Sequence, residues 1–199
     1  MEKLYEGLAI VLIYIAVELW KYYKNRRLQA KTRMGLMISN KLALEITPIL
    51  YTALMKLKAS RVYILEFHNG EYYSSGRSIQ KYSMTYEALY PNFDSMQRET
   101  TNRPLDAMIH TITYELSVTD YFQITNNDNL GDDRMQFKNY MKAWGIGTIF
   151  CEALRNNSGN IVGLLVYNFS KPTILSGPHR ISINDTATRV QNQLNKKVN

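Results

Sequence analysis

Three titratable residues have the side chains that acid–base chemistry needs. Glu66 and His68 lie near the end of one β-rich run, and Glu87 lies in the next one. If the two runs pair, His68 and Glu87 come close together, and a Glu–His pair could act as a general base. The sequence shows no nucleophile or oxyanion element to accompany it. The alternative is that His68 only holds a turn at Asn69-Gly70, and we therefore predict that the protein is not an enzyme.

The other residues capable of chemistry are too scattered to define a metal or cofactor site. Three histidines and one cysteine have no spacing typical of zinc ligands. Phosphate-binding glycine loops and serine-hydrolase motifs are absent from the sequence. A lone cysteine allows no internal disulfide, which fits a reducing compartment. Cys151 lies in a predicted strand and is expected to be a small core residue. We predict no metal, and the sequence identifies no cofactor.

The N-terminal segment bears on where the protein works. The mostly apolar stretch from Leu4 to Tyr23 would form about 30 Å of helix, with aromatic residues near both ends. A basic cluster follows, made of Lys21, Lys24, Arg26, Arg27, Lys31 and Arg33. By the positive-inside rule, this predicts a single-span inner-membrane anchor with the N-terminus outside and the domain in the cytoplasm. The uninterrupted apolar run, Gly7–Val17, is short, so an amphipathic or buried helix is the alternative.

The net charge of +7 is concentrated in the same region. Residues 1–33 carry seven Lys/Arg and three Asp/Glu, which is more than half of the net charge. A juxtamembrane cluster of this kind is expected to meet anionic lipid. The rest of the chain is too evenly charged for a broad nucleic-acid surface, and a basic arm that binds DNA or RNA is the less favoured alternative.

Hydrophobic periodicity predicts one α+β domain behind this segment. We place the anchor and basic segment at 1–33, a helical stalk or first domain helix at 34–58 and the domain at 59–199. Pro48 either kinks the stalk or starts a new helix, and such stalks can pair into homodimers. The predicted elements of the domain are strands Arg61–His68 and Gly76–Tyr86, a helix Arg103–Leu116, a strand Tyr121–Thr125, a helix Met135–Trp144, strands Gly147–Arg155 and Asn160–Phe169, and a helix from Ser182 to about Lys196.

The C-terminal part of the sequence resembles a GAF domain. The stretch YMKAWGIGTIFCEALRNNSGNIVGLLVYNFSKP, followed by a helix, is similar to the short helix, strand, glycine turn, strand and terminal helix of that family. The similarity covers roughly residues 40–198. The blocks YILEFHNG and YSMTYEAL also resemble small membrane-anchored GAF-like proteins of bacteria and their phages. The resemblance implies a central antiparallel sheet with helices on one or both faces.

In GAF domains the ligand pocket lies between one sheet face and the excursion after the second strand. The positions that this implies here are Phe67, His68, Tyr82, Met84, Tyr86, Glu87, Tyr121, Phe122, Phe150 and Glu152. Tyr-rich walls with a few polar groups suit a planar ligand, although alternating aromatic residues on half-buried strands can equally be core. The NKFDE motif of cyclic-nucleotide-binding GAF domains is absent, and bilin attachment requires a suitably placed cysteine.

These observations predict a membrane-anchored, cytoplasm-facing GAF-like module with no catalytic output domain. It would serve sensing, regulation or protein interaction, and it would pass a signal through the stalk to an unidentified protein partner. The alternative is a non-catalytic structural or assembly protein, for example one encoded by a phage. A closed cavity of drug-like size beside Tyr82, Tyr86 and Tyr121 favours ligand binding, whereas solid packing there favours assembly.

Overall fold

The computed structural model describes residues 2–72, 78–126, 131 and 134–196. Its helices and strands, numbered in chain order, are α1 (Glu2–Leu57), β1 (Arg61–Tyr72), β2 (Ser78–Leu89), β3 (Arg103–Pro104), α2 (Ala107–Val118), β4 (Tyr121–Thr125), α3 (Met135–Ala143), β5 (Thr148–Arg155), β6 (Ile161–Phe169) and α4 (Gly177–Leu194). The chain divides into two compact units, Met1–Leu42 and Ala43–Asn199.

The N-terminal unit consists of the first part of α1. Within the described ranges, no helix combines the length and the apolar character that crossing a membrane requires. The predicted inner-membrane anchor and the location derived from it are therefore wrong. The sequence supplies the reason, because Glu6 and Glu18 limit the apolar run to Gly7–Val17, about 16 Å of helix. A bilayer core is about 30 Å thick.

The basic cluster after this run is only partly described. The side chains of Lys21, Lys24, Arg26 and Arg27 are exposed, and those of Lys31 and Arg33 lie outside the described part of the structure. Lys21 pairs with Glu18 at 2.8 Å, and Lys24 Nζ lies 5.1 Å from the centre of the Trp20 ring. Contact of this cluster with anionic lipid stays a prediction.

The region predicted as a stalk is helical as far as Leu57, and α1 continues through Pro48 without a break. A new helix starting at Pro48, one of the two alternatives, is therefore wrong. The Thr52 hydroxyl donates to the Pro48 carbonyl oxygen at 2.8 Å. The last turns of α1 bury a row of apolar side chains, Ile46, Ile49, Leu50, Ala53, Leu54 and Leu57.

The central sheet has six strands in the order β3-β2-β1-β6-β5-β4, and each neighbouring pair is antiparallel. β1 is longer than predicted, because it runs through Asn69-Gly70 to Tyr72. The turn predicted at Asn69-Gly70 is wrong. Asn69 pairs with Gln80, and the residues that follow it form an irregularity in the β1–β2 ladder instead of ending the strand.

Both faces of the sheet are buried, as the alternation of side chains along its strands requires. On one face, Leu65 and Phe122 join side chains of α2 and α3, such as Phe137, in the main core cluster. The opposite face buries Ile64 and Tyr167. α4 packs against β5 on that side, and an ion pair of 3.6 Å joins Lys196 near its end to Glu45 of α1.

Two helices begin at other residues than predicted, and capping explains both differences. α2 starts at Ala107 because the Asp106 carboxylate accepts a hydrogen bond from the Ile109 amide at 2.9 Å, while Pro104 belongs to β3. α4 starts at Gly177, several residues before the predicted start at Ser182, and Ser176 is its N-cap residue. The Ser176 amide donates to His179 Nδ1 at 3.3 Å. The predicted strand Tyr121–Thr125 is confirmed as β4.

Candidate functional site

A cleft lies between α2 and the sheet face that carries the main core cluster. Its inner part is a small cavity of about 30 Å³, and its outer part is an open groove of about 390 Å³. Four residues line both parts, namely Tyr82, Thr100, Met108 and Tyr140. These side chains therefore separate the interior from the groove.

The inner cavity has apolar walls with a few neutral polar groups. Tyr63 of β1 and Cys151 of β5 line it. Burial raises the pKa of Tyr63 well above its ordinary value, and the neighbouring Tyr140 raises it further. Burial also raises the pKa of the Cys151 thiol, so this cysteine is a protonated core residue, as the sequence predicted. The cavity has room for about two water molecules and is far smaller than a typical ligand pocket of at least about 300 Å³. The described residues around Tyr82 therefore do not form the closed cavity of drug-like size that was expected for ligand binding, and a ligand would have to bind in the outer groove.

The outer groove is large enough for a small molecule and has charged residues at its rim. Glu99, Arg103 and Asp106 line it together with the apolar wall. Burial raises the pKa of Tyr82 to about 12, with a further increase from Asp106 and an opposing effect of Arg103. At physiological pH the Tyr82 hydroxyl is therefore neutral and can donate or accept a hydrogen bond.

Glu87 holds the segment that forms the outer wall of the cleft. The Ser95 hydroxyl donates to Glu87 Oε2 at 2.5 Å, and the Met96 amide donates to Glu87 Oε1 at 3.2 Å. Met96 is fully buried, and the Met84 amide donates to the Thr100 carbonyl at 3.1 Å. Glu87 thus ties the excursion after β2 to the sheet, a structural role.

The structure does not bring His68 and Glu87 together. His68 pairs with Lys81 across the β1–β2 ladder, whereas Glu87 pairs with Tyr63. Five strand residues, about 16 Å, separate these two positions along β1. The general-base pair considered from the sequence is therefore not formed.

His68 makes a different contact from the one expected at the turn. His68 Nε2 lies 2.9 Å from the Ser83 hydroxyl oxygen, which also accepts a hydrogen bond of 2.8 Å from the Asn102 amide. Glu66 instead lies near Tyr86. The pKa of the Tyr86 hydroxyl is raised mainly by burial, and the negative charge of Glu66 raises it further.

The ten predicted pocket residues fall on two faces of the sheet. Tyr82 lines the cavity, Met84 and Phe122 belong to the core cluster of that face, and Phe67 packs against it. On the opposite face, the Tyr121 and Phe150 rings stack 5.3 Å apart. The second group consists of Tyr121, Phe150 and Glu152, placed there by strand alternation, and of Tyr86, which pairs with Ile64 beyond a register shift in the β1–β2 ladder. Of the ten predicted residues, Tyr82 lines the cleft itself, and ligand binding by the predicted residues stays a prediction.

Glu152, on that second face, has an unusual environment. Burial raises the pKa of its carboxyl from 4.5 to about 7, and the nearby Asp120 adds to the increase. Tyr167 is buried in the same region, and burial raises the pKa of its hydroxyl, with an opposing effect of the Thr186 side chain. The guanidinium of Arg180 lies 4.2 Å from the centre of the Tyr121 ring.

Sequence reasoning missed several residues that line the cleft. Tyr63 could have been found, because it alternates with Leu65 and with the predicted Phe67 on β1. Met108 lies on the apolar face of the predicted helix, a pattern that core residues and pocket residues share. Tyr140 gave no signal, because its position depends on how α3 packs against the sheet.

Comparison with known proteins identifies the fold. No protein-family model and no curated protein matches the sequence. The solved structure of a phycocyanobilin-bound GAF domain from a cyanobacterial phytochrome is 15% identical, with a TM-score of 0.57, covering 86% of this chain and 91% of that one. A GAF domain from Synechocystis in its photoproduct state is 10% identical, with a TM-score of 0.59, covering 78% and 94% of the two chains.

A third neighbour agrees with the first two. The PixJ GAF domain of Thermosynechococcus elongatus, in its blue-light-absorbing form, is 12% identical, with a TM-score of 0.55, covering 79% of this chain and 85% of that one. Sequence identities this low support a conclusion about the fold alone. The expectation of a central antiparallel sheet flanked by helices is confirmed, and this chain has a GAF-like α+β fold.

Proposed function

We propose that the protein is a GAF-like sensory or regulatory module that binds a small planar ligand in the cleft between α2 and the sheet. The observation that carries the proposal is the groove of about 390 Å³, which shares four lining side chains with the small cavity behind it. The groove lies within the volume range of ligand sites. The solved GAF neighbours include domains bound to phycocyanobilin and phycoerythrobilin.

The chemistry of the cleft indicates the kind of ligand. Tyr82 and Tyr140 supply aromatic surface and neutral hydroxyl groups. Arg103 and Asp106 at the rim offer one charge of each sign. A flat, mostly apolar molecule with one or two polar substituents matches these walls. A covalently attached bilin does not match, because the Cys151 thiol is fully buried.

Entry of a ring into the inner cavity requires a side chain to move. Met108 is the best candidate, because it lines both parts of the cleft and is only partly buried. Methionine has three rotatable bonds and adapts its shape easily. The ligand would first occupy the groove and then displace Met108 inward or sideways.

A thermal-shift screen of metabolites on the full chain tests this function. A compound at about 100 times its Kd should stabilise the protein by about 2.7 kcal/mol. Met108→Trp fills the cleft and should abolish this stabilisation, whereas Val118→Trp, an exposed position on the same helix, should preserve it.

Two outcomes would contradict ligand binding in the cleft. One is a screen in which no compound raises the melting temperature. The other is a compound whose effect survives Met108→Trp unchanged. Either result would leave the structural or assembly function as the better explanation of the fold.

A further inference from the structure

The strand β4 forms one edge of the central sheet. It pairs with β5 on one side, and no described strand pairs with its other side. The Asn126 amide donates to the Gly147 carbonyl at 2.8 Å, and this bond shows which residues of β4 face β5. Because the direction of hydrogen bonding alternates along an antiparallel strand, the backbone groups of Tyr121, Gln123 and Thr125 point away from β5.

Most of these outward backbone groups are unpaired. The Tyr121 carbonyl accepts a hydrogen bond of 2.9 Å from the Thr119 hydroxyl. The N–H and C=O groups of Gln123 and Thr125 have no hydrogen-bond partner within the described ranges of the chain. A row of free main-chain donors and acceptors at a sheet edge is a template for another strand.

An open groove of about 390 Å³ lies at this edge and is called the edge groove below. It is lined by Tyr121, Gln123 and Thr125 of β4 and by Glu115 and Thr119 at the end of α2. The three β4 residues are the same three whose backbone groups point outward. A chain in the edge groove would therefore reach those groups, and an extended chain presents its own donors and acceptors at the matching spacing.

An exposed apolar side chain adjoins the edge on the face of the sheet opposite α2. The Gln123 side-chain amide donates to the Thr173 carbonyl at 3.3 Å, and the next residue, Ile174, is 92% exposed. The side chains of an added strand alternate between the two faces of the sheet. Those on this face would cover Ile174.

The charges beside the edge groove favour a basic partner. Glu115 is paired with Arg134 at 3.3 Å. Asp120, directly before β4, is exposed and forms no ion pair with a described residue. The carboxyl group of Glu152 lies near Asp120, and Arg180, over an aromatic ring of β4, supplies one positive charge. The balance at this end of β4 is negative, so a lysine or arginine of the partner would be attracted to Asp120.

We propose that the free edge of β4 binds an extended, basic segment of another protein, which adds a strand to the sheet. Main-chain hydrogen bonds to Gln123 and Thr125 would supply affinity, and alternate side chains of the segment would supply specificity. The edge groove shares no lining residue with the cleft. Binding at the edge therefore does not depend on a ligand in the cleft.

A display library of random ten-residue peptides, selected against the full chain, supplies the probes. Each selected peptide is then synthesised with one backbone amide methylated at a time, which removes one hydrogen-bond donor. Affinity should fall about tenfold at alternate positions, where the amide faces β4, and should change less than about twofold at the positions between them. A peptide held by its side chains alone would show no such alternation.

Gln123→Pro tests the same hydrogen bonds from the side of the protein. Proline removes the outward N–H but no bond to β5, and edge strands tolerate it. The variant should bind the selected peptides about tenfold more weakly, with an unchanged circular dichroism spectrum. Gln123→Ala keeps the N–H and loses the side chain, so as the matched control it should bind within about twofold of wild type. Asp120→Asn should weaken the basic peptides and reduce the effect of salt on their binding.

Three outcomes would overturn the proposal. The first is a library that yields no binder, and the second is a set of binders that Gln123→Pro does not weaken. The third is a methylation series without alternation, which decides the matter alone if Gln123→Pro fails to fold. Self-association of the wild-type chain that Gln123→Pro abolishes in sedimentation velocity would also overturn it, because the edge would then belong to a second copy.

Discussion

Glu152 should make the stability of the domain depend on pH near neutrality. Its carboxyl has a pKa of about 7 in the folded protein, mainly because of burial, with a smaller effect of Asp120. The ordinary value of 4.5 applies to the unfolded chain. Between these two pH values, the folded protein keeps a proton on Glu152 that the unfolded chain has released. The free energy of unfolding therefore falls as the pH rises from about 4.5 to about 7.

The size of this effect follows from the difference between the two pKa values. At about 1.4 kcal/mol per pKa unit, the charged form costs up to about 3 kcal/mol above pH 7. Part of the Glu152 side chain contacts water, so solvent screening should reduce the measured cost to about 2 kcal/mol. Below pH 4.5 both states are protonated, and the cost disappears.

Glu152→Gln isolates this contribution, because glutamine has the shape of the protonated acid without its charge. Urea unfolding of both proteins between pH 4.5 and 8.5 should show a difference near zero at the acidic end. The variant should become more stable by about 2 kcal/mol at the alkaline end. Glu99→Gln, at an exposed position, serves as the matched control. A difference between Glu152→Gln and wild type that does not change with pH would refute the reasoning.

Two further predictions concern stability. Gly163→Ala should lower the free energy of unfolding by about 2 kcal/mol, because its new Cβ would lie 2.3 Å from the Leu65 carbonyl oxygen. Gly177→Ala has open space and is the control for the same urea measurement. Arg61→Lys should cost about 2 kcal/mol, because the buried guanidinium donates to the carbonyls of Asp94 and Trp144 at 3.2 and 3.3 Å. An unfolding midpoint equal to that of wild type would contradict the assigned role of Arg61.

Local signals in the sequence were sufficient for most of the fold. The alternating run and glycine turn between β5 and β6 predicted that hairpin within one residue at each end, because both the turn and the buried faces are encoded locally. The bounds of α2 and α4 were less accurate, since they depend on which of several nearby polar residues caps the helix. Asp106 and Ser176 make those contacts.

The cleft was harder to predict than the fold. Its residues can be assigned only when the alternation of side chains along each strand is combined with the register between neighbouring strands. Tyr121 and Phe122 are neighbours in sequence but lie on opposite faces of the sheet. A single pocket that contains both is therefore impossible. The membrane prediction failed for a different reason, because it counted aromatic and charged flanking residues as part of the span.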